Sequence, residues 1–234
     1  MRGARRARRG SREGRPGRSA PAEGDGALRP RAGRVVAVKA VFFDVGETLV
    51  DETRYWAEHA ERLGVTPHVV WAALGATISR GEHHRRVFEL LGGEPGDEVV
   101  YSPEDFYPDA LPCLERLHGA GYFVGIAGNQ STQLEEWARG QELPVDVVAS
   151  SASWGVEKPS AEFFARVVAE SGAAPYEVAY VGDRLDNDVV PAREAGLVAV
   201  QIRRGPWAHL QVGPEAGGLR IRSLDELPEA FDGA

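Results

Sequence analysis

Short apolar runs rich in β-branched residues alternate along the chain with longer segments of mixed polarity, and no other feature constrains the fold as strongly. Runs of this length and composition are typical of strands that are buried on both faces of a sheet. They predict strands at 35–43, 122–127, 145–149, 178–181 and 198–202. Strands that alternate in this way with helices form the parallel sheets of α/β proteins.

The segments between these strands carry helical patterning. They predict helices at 111–118, 131–139, 161–171 and 187–195, and Gly121, Gly172 and Gly196 stand where three of these helices would end. We therefore expect an α/β fold, namely a Rossmann-like parallel sheet wound with helices. In such folds the functional site lies beyond the carboxyl ends of the strands, so the residues that follow each strand are the first to consider.

The interval 51–107 departs from this alternation of strands and helices, because it contains no convincing strand. It predicts helices at 55–63, 68–78 and 82–91, separated by Gly64, Pro67, Gly81 and the loop 92–96. A helical insertion after the first strand, lying over the sheet end as a cap, is the simplest account. The predicted organisation is therefore a core domain of residues 35–50 and 108–234, a helical cap of residues 51–107 and an N-terminal extension of residues 1–34.

The N-terminal extension differs in charge from the rest of the chain. Residues 1–34 contain 11 Arg and 3 acidic residues, whereas residues 35–234 contain 16 basic and 32 acidic residues. The extension is poor in large apolar residues, so we expect it to be disordered. It is compatible with a non-functional extension, an organelle-targeting peptide or a basic arm for nucleic acid or anionic lipid, but not with a secretory signal. The acidic body is unsuited to binding nucleic acid.

The remaining composition limits the environment of the protein. Its apolar runs fall short of the ~20 residues that a membrane-spanning helix needs, so no membrane association is expected. Cys113 is the only cysteine in the sequence, which excludes an internal disulfide and a cysteine-based zinc site, and we expect it to be buried. This favours a reducing compartment, and we expect a cytoplasmic protein. The sequence does not specify an oligomeric state.

Acidic residues follow two of the predicted strands at the point where each strand ends. Asp44 directly follows the first strand, and Gly46 permits a tight turn there. Asp183 stands at the end of the fourth strand, with Asp186 and Asp188 close behind. Carboxylates that converge from neighbouring strands repel unless a cation lies among them, and a set of oxygen ligands favours Mg²⁺ over zinc. Asp186 and Asp188 are also compatible with the ordinary role of acids at a helix N-terminus.

Lys158 and Asn129 supply further polar groups near the predicted strand ends. Lys158 is one of only two lysines in a chain that otherwise carries its positive charge on arginine. Its compact ammonium suits a contact that joins a phosphoryl oxygen to a nucleophilic aspartate. Asn129 follows the second strand through Gly128, where the side-chain amide and backbone N–H groups suit hydrogen bonds to the same oxygens.

Taken in order, these residues resemble the four-motif set of the haloacid dehalogenase superfamily. The resemblance covers roughly residues 38–196, includes a helical cap of the C1 type after the first motif, and is carried by Asp44, Asn129, Lys158-Pro159 and Gly182-Asp183 with Asp188. It implies a phosphatase-like hydrolase in which the first aspartate attacks phosphorus and forms an aspartyl-phosphate that water hydrolyses. The substrate that it implies is a small phosphorylated metabolite.

The resemblance also implies a role for each matching position. Asp44 matches the nucleophile, and the expected catalytic set is Asp44, Lys158 and Asn129. The expected phosphate-binding set is Gly128, Asn129 and Lys158. The expected ligands of a Mg²⁺ cofactor are three carboxylates and one backbone carbonyl, those of Asp44, Asp183, Asp188 and Gly46.

The sequence departs from the family pattern at two positions. The family's phosphatases usually carry a second aspartate two residues after the nucleophile, as general acid and base, and here that position is Gly46. Loss of such help costs roughly 10²–10⁴ in rate, so we expect a slow enzyme unless another group substitutes. The candidate substitutes are Asp51, which ranks first, Glu47, His83 and His84. The second departure is Gly128, where the family usually presents Ser or Thr, so one hydrogen bond to phosphate is lost.

Three alternatives to a phosphatase follow from these departures. A haloacid dehalogenase carries an aromatic residue at the position of Gly46 and needs no metal, which would leave Asp183 and Asp188 without a purpose. A phosphonoacetaldehyde hydrolase needs a cap lysine, and the interval 51–107 contains none. The third alternative is a catalytically impaired phospho-ligand binding or regulatory protein of the same fold, and retention of Asp44 and Lys158 argues against it.

The cap is the region in which the resemblance places substrate selection. Its basic residues Arg80, His83, His84, Arg85 and Arg86 suit either an anionic substrate or an exposed, charged helix face. The second role is the more common one for such a cluster.

Overall fold

The computed structural model of the protein describes residues 37–97, 99–211 and 218–232. Its centre is a six-stranded parallel sheet in the order β3-β2-β1-β4-β5-β6. The strands are β1 (Ala40–Phe43), β2 (Phe123–Gly128), β3 (Val147–Ser150), β4 (Val178–Gly182), β5 (Val198–Ile202) and β6 (Leu219–Ile221). The predicted α/β fold with a parallel sheet is thereby confirmed.

Strands β2 to β5 lie within two residues of their predicted bounds, whereas β1 and β6 differ more. β1 begins at Ala40, because residues 37–39 do not join the ladder, and the earlier part of the predicted strand lies outside the described residues. β6 was not predicted. It is three residues long and has a polar residue, Arg220, at its centre. It is therefore too short to show an apolar run or the alternation of apolar and polar residues that predicts a strand. The predicted disorder of residues 1–34 also lies outside the described residues.

Helices connect the strands and cover both faces of the sheet. Their bounds are α1 (Thr53–Arg62), α2 (Pro67–Ser79), α3 (Arg86–Leu90), α4 (Ala110–Gly119), α5 (Thr132–Gly140), α6 (Ser151–Trp154), α7 (Ala161–Ser171), α8 (Val190–Glu194), α9 (Gly205–Leu210) and α10 (Leu227–Asp232). Helices α4, α5 and α10 contribute to the apolar cluster on one face, and α7 and α8 to that on the other.

The central strand β1 explains why its sequence is apolar without interruption. Val41 and Phe43 belong to one cluster, whereas Ala40 and Phe42 belong to the other, and all four are fully buried. Successive side chains of a strand point to opposite faces, so a strand covered on both faces needs apolar residues at every position. This burial fixes the place from which the next residue, Asp44, leaves the sheet.

Helices α6, α9 and α10 were not predicted, and two predicted helices differ from the structure in form or length. The predicted helix 187–195 is a π-helical turn, Leu185–Val189, followed by α8. The Asp188 carboxylate accepts a hydrogen bond from the backbone N–H of Arg184, the residue before this turn, at 3.0 Å, so its side chain is tied to the start of the turn. The predicted helix 82–91 shortens to α3, because His83 and His84 lie in a turn in which the His83 ring contacts the backbone N–H of Arg85 at 3.2 Å.

Helices α1, α2 and α3 lie between β1 and β2 in sequence and share an apolar cluster. Trp56, Val70, Leu74 and Phe88 are buried there, and Trp207 of α9 joins them. A predominantly helical interval after the first strand is thus present. The division into a core domain and a cap at the predicted boundaries stays a prediction, since the described part of residues 35–234 belongs to one compact unit.

Two smaller expectations concern burial and membranes. Cys113 is a free, buried cysteine in the cluster on the α4 face, as expected. Within the described ranges, no helix combines enough length with enough apolar character to span a bilayer.

Candidate active site

Three adjacent strands deliver polar residues to one edge of the sheet. β1 is hydrogen-bonded to β2 on one side and to β4 on the other. Asp44 follows β1, and its backbone N–H donates to the carbonyl of Val181 in β4 at 2.9 Å. Because parallel strands end at the same sheet edge, Asn129 after β2 and Asp183 after β4 emerge next to it. The sheet register therefore brings the sequence-predicted residues together.

Asp44, Asp183 and Asp188 form a compact group of buried carboxylates at this edge. One oxygen from each lies within 4.8 Å of the others. Burial, together with the charges of Asp188 and Asp44, raises the pKa of Asp183 well above its ordinary value. Oδ2 of Asp183 is buried and has no hydrogen-bond partner among the described residues. A buried oxygen without a partner, beside two further carboxylates, fits a hard divalent cation such as Mg²⁺.

Lys158 ties two of these carboxylates together. Its Nζ lies 2.9 Å from Oδ1 of Asp44 and 2.6 Å from Oδ1 of Asp188. Burial alone would lower the pKa of Lys158, but Asp188 and Asp44 raise it well above its usual value, so the ammonium stays charged. Oδ2 of Asp188 accepts from the backbone N–H of Arg184. Both oxygens of Asp188 are thus held by the chain, whereas Asp183 presents the oxygen without a partner.

Asn129 contacts the backbone of Lys158. Its Nδ2 donates to the Lys158 carbonyl at 2.9 Å, and its Oδ1 accepts from the Lys158 N–H at 2.8 Å. This two-point contact holds the loop that carries Lys158 against the end of β2. The structure therefore gives the Asn129 side chain a positioning contact, and a direct hydrogen bond to phosphate stays a prediction.

Gly128 is packed against the candidate nucleophile. A Cβ at this position would lie 2.4 Å from Oδ1 of Asp44, closer than real Cβ contacts come. The Ser or Thr that the family usually presents here would therefore displace the Asp44 carboxylate in this protein. The departure from the family pattern at position 128 is consistent with this close approach.

Gly46 is packed in the same way, against a residue that the sequence reasoning missed. A Cβ at Gly46 would lie 2.3 Å from Oε1 of Glu52. The Tyr101 hydroxyl donates to this oxygen at 2.8 Å, and the Trp56 indole N–H donates to Oε2 at 3.1 Å. Burial raises the pKa of Glu52, the two hydrogen bonds oppose that rise, and the nearby Asp44 adds to it. The i,i+4 spacing of Glu52 and Trp56 was the one sequence clue to this arrangement.

The acids that the sequence suggested for proton transfer have other partners. Oδ1 of Asp51 accepts from the backbone N–H of Thr53 at 2.8 Å, at the start of α1. The Glu47 carboxyl accepts from the Tyr107 hydroxyl at 2.6 Å. Burial, together with the charge of Glu52, raises the pKa of Glu47 to about 8. A proton-transfer role for Asp51 or Glu47 stays a prediction.

The basic residues of the helical interval divide into two kinds. The rings of His83 and His84 lie against each other, with centroids 4.1 Å apart. Burial lowers the pKa of both, and that of His84 falls to about 3, so neither is charged near pH 7. Arg80, Arg85 and Arg86 are exposed, and Arg86 forms an ion pair within α3. This arrangement favours a charged, exposed face over an anion-binding site.

Asp186 lies apart from the carboxylate group. It is exposed, and its two oxygens accept from the Arg184 guanidinium at 2.9 and 3.1 Å. The same guanidinium lies over the ring of Trp207, 5.1 Å from its centroid. Asp186 therefore has the ordinary role of a surface ion pair, whereas Asp188 joins the site.

Comparisons with known proteins agree with this geometry. The sequence profile of the haloacid dehalogenase-like hydrolase family matches residues 38–196. A glyceraldehyde 3-phosphate phosphatase of Methanopyrus kandleri is 31% identical over 74% of this chain and 88% of that protein. A phosphoserine phosphatase of Thermus thermophilus is 28% identical over 74% of this chain and 71% of that protein. The crystal structure of a HAD phosphatase from Thermococcus onnurineus superposes with a TM-score of 0.57 at 25% identity, covering 84% of this chain and 99% of that one. The resemblance inferred from the motifs is thus confirmed, and the chain belongs to the haloacid dehalogenase-like hydrolases as a phosphatase-like member of that family.

Proposed function

We propose that this protein is a Mg²⁺-dependent phosphatase that hydrolyses a small phosphate monoester through an aspartyl-phosphate on Asp44. The observation that carries the proposal is the buried contact of Lys158 with Asp44, at 2.9 Å, beside the unpartnered oxygen of Asp183. A carboxylate nucleophile, a fixed ammonium and a cation site together meet the needs of phosphoryl transfer, which depends mainly on positioning and on charge stabilisation.

Each residue has a defined part in this reaction. The Asp44 carboxylate attacks phosphorus opposite the ester oxygen, which leaves as the alcohol after it gains a proton. Water then attacks the aspartyl-phosphate, which releases inorganic phosphate and restores the carboxylate. Lys158 holds the Asp44 carboxylate in place through its 2.9 Å contact, and its ammonium offsets the charge of the phosphoryl oxygens. Asn129 holds the Lys158 loop in place through its two backbone contacts.

The residues that would hold the metal are the carboxylates of Asp44 and Asp183, the backbone carbonyl of Gly46 and, directly or through water, Asp188. Mg²⁺, when bound, would supply positive charge that offsets the charge of the transferring phosphoryl group. Oδ2 of Asp183, for which the described part of the chain offers no hydrogen-bond partner, supports this assignment.

The relatives indicate the class of substrate. One is named for glyceraldehyde 3-phosphate and another for phosphoserine, and both compounds are compact phosphate monoesters. We infer a substrate of the same class, a small phosphorylated metabolite. The neutral histidine pair and the exposed arginines of the helical interval supply no cluster of buried cations for a more highly charged ligand within the described residues 51–97 and 99–107.

The same geometry disfavours carbon–halogen cleavage. The dehalogenases of the family need no metal, and metal-free chemistry would leave Asp183 with a buried oxygen that has no partner among the described residues. The Lys158 ammonium offsets one negative charge, whereas the group contains three carboxylates. Because Lys158 contacts Asp44 and Asp188 only, a divalent cation would supply the positive charge next to Asp183.

Phosphate release from a panel of small esters, including glyceraldehyde 3-phosphate and phosphoserine, tests the proposal. We expect turnover with Mg²⁺ and none with EDTA. After an acid quench during turnover, mass spectrometry should place phosphate on the peptide that contains Asp44. Binding of the esters by calorimetry with no turnover at any Mg²⁺ concentration would contradict the proposal and would favour a phospho-ligand binder.

A further inference from the structure

The carboxyl of Glu52 fills the space that a side chain at position 46 would occupy. A Cβ built on Gly46 would lie 2.3 Å from Oε1, 2.9 Å from Cδ and 3.6 Å from Cγ of Glu52. The carboxyl, rather than the aliphatic part of the side chain, is therefore next to Gly46. In phosphatases with aspartate at this position, that volume holds the start of the aspartate side chain. The helical interval thus brings a carboxyl to the point at which the family motif has lost one.

Two neutral donors hold the Glu52 carboxyl in this place. Tyr101 donates its hydroxyl proton to Oε1, and Trp56 donates its indole N–H to Oε2. Both donors are buried, with exposed fractions of 5% and 2%, so their positions are fixed by packing. Neither donor is charged, so neither forms an ion pair that would keep the carboxyl ionised throughout a reaction.

Glu52 is also free of the task that its position in the helix suggests. It is the N-cap residue of α1, yet its side chain makes no capping hydrogen bond. The neighbouring Asp51 bonds the backbone N–H of Thr53 instead. The Glu52 carboxyl lies close enough to Asp44 for the Asp44 charge to raise its pKa. Its carboxyl therefore bonds the side chains of Tyr101 and Trp56 beside Gly46 and not the backbone at the start of the helix.

We propose that Glu52 is the proton donor and acceptor of the reaction, in place of the aspartate that the family carries at position 46. The assignment rests on the proposed phosphatase function. As the bond between phosphorus and the ester oxygen breaks, the Glu52 carboxylic acid gives its proton to that oxygen, which departs as the alcohol. The Glu52 carboxylate then takes a proton from the water that attacks the aspartyl-phosphate, so phosphate leaves and Glu52 is again protonated.

The leaving group decides between this role and a structural one. An alkyl ester such as glyceraldehyde 3-phosphate needs a proton on its departing oxygen, whereas 2,4-dinitrophenyl phosphate does not, because dinitrophenolate is a stable anion. In Glu52→Gln, which keeps the shape and removes the acid, the first turnover of the alkyl ester should slow by roughly 10²–10⁴-fold. The first turnover of the dinitrophenyl ester should change little. Rapid-quench measurement of leaving-group release with Mg²⁺ gives both rates.

Three further variants separate proton transfer from damage to the site. Glu61→Gln removes an exposed carboxyl from the same helix and should leave both rates unchanged. Glu52→Ala should lose the alkyl ester rate, and the double variant Gly46→Asp/Glu52→Ala should recover part of it, because the carboxyl returns to the family position and the obstructing side chain is gone. Gly46→Asp alone should be impaired, since its side chain would meet Glu52.

The outcomes distinguish the assignment from the function on which it rests. Equal slowing of both esters in Glu52→Gln, or no slowing of either, would overturn the assignment of Glu52 and leave the phosphatase proposal in place. Absence of phosphate release from both esters by the unaltered protein would overturn the proposed function and, with it, this assignment.

Discussion

The site has a cation side, formed by Asp44, Asp183, Asp188 and Lys158, and a proton side, formed by Glu52 with Tyr101 and Trp56. The two sides are built in different ways. On the cation side, Asp44 and Asp183 leave the ends of neighbouring strands, and the register of the sheet places them together. On the proton side, Glu52 and Tyr101 come from the helical interval, and side-chain packing brings them to Gly46. Residues that follow the strands of a sheet occur in a fixed order along the sequence, whereas residues that side-chain packing brings together have no such order. Loss of a motif residue is therefore not the same as loss of its chemistry.

The two sides also differ in charge. The cation side has three buried carboxylates, of which Lys158 contacts two, and one oxygen of the third has no partner among the described residues. On the proton side, the Glu52 carboxyl is held by two neutral donors. The first arrangement is incomplete without further positive charge, whereas the second is satisfied by the chain itself. Substitutions on the cation side should accordingly have the larger effects on stability.

Replacement of Asp44 is the strongest test of the cation side. Asp44→Asn should slow turnover by roughly 10⁴-fold or more, because an amide does not attack phosphorus as a carboxylate does. The fold should survive, since the amide has the same shape and Lys158 keeps its 2.6 Å contact with Asp188. Phosphate release and a circular dichroism melt measure the two properties. Turnover of the variant above background would remove Asp44 as the nucleophile.

The two lysines of the chain provide a matched comparison of stability. Lys158→Met leaves Asp44 and Asp188 buried without their cation, so the free energy of unfolding should fall by about 3–5 kcal/mol. Lys39→Met removes an ion pair between Lys39 and Glu177. The Lys39 side chain is 62% exposed, so the free energy of unfolding should fall by only about 0–1 kcal/mol. Urea unfolding in EDTA measures both. Losses of equal size would show that the buried contact is not the stronger one.

The difference between the two sides also explains what the sequence could predict. Buried strands leave an apolar pattern, and acids directly after them, such as Asp44 and Asp183, stand out because their neighbours are apolar. The contact of Asn129 with the Lys158 backbone could not be predicted from the sequence, because it joins two loops whose separation depends on the whole sheet. Glu52 was missed for the same reason. Its sequence neighbours suggest an N-terminal helix acid, and its contact with Tyr101, far along the chain, decides where its carboxyl lies.

Mg²⁺ should stabilise the unaltered protein, because it binds the folded site and not the unfolded chain. At a concentration of 100 Kd the gain in unfolding free energy should be about 2.7 kcal/mol. In Asp183→Asn one of three repelling carboxylates is removed, so this variant should be more stable than the unaltered protein in EDTA and should gain little from Mg²⁺. Thermal melts of the unaltered protein and of Asp183→Asn, each in EDTA and in Mg²⁺, give the four stabilities to compare. An unchanged Mg²⁺ response in the variant would contradict the assignment of Asp183 as a ligand.

The smallest effect expected within the site separates two roles for Asn129. Asn129→Ala removes two hydrogen bonds to the Lys158 backbone, which should lower the free energy of unfolding by about 1–2 kcal/mol and slow turnover through a displaced ammonium. If Asn129 acts only through Lys158, the same substitution should slow an activated ester much less in the Lys158→Met background, because the ammonium is already gone. If its amide binds phosphate directly, the slowing should be the same in both backgrounds. Single-turnover rates of the unaltered protein, Asn129→Ala, Lys158→Met and the double variant therefore decide between a positioning residue and a phosphate ligand.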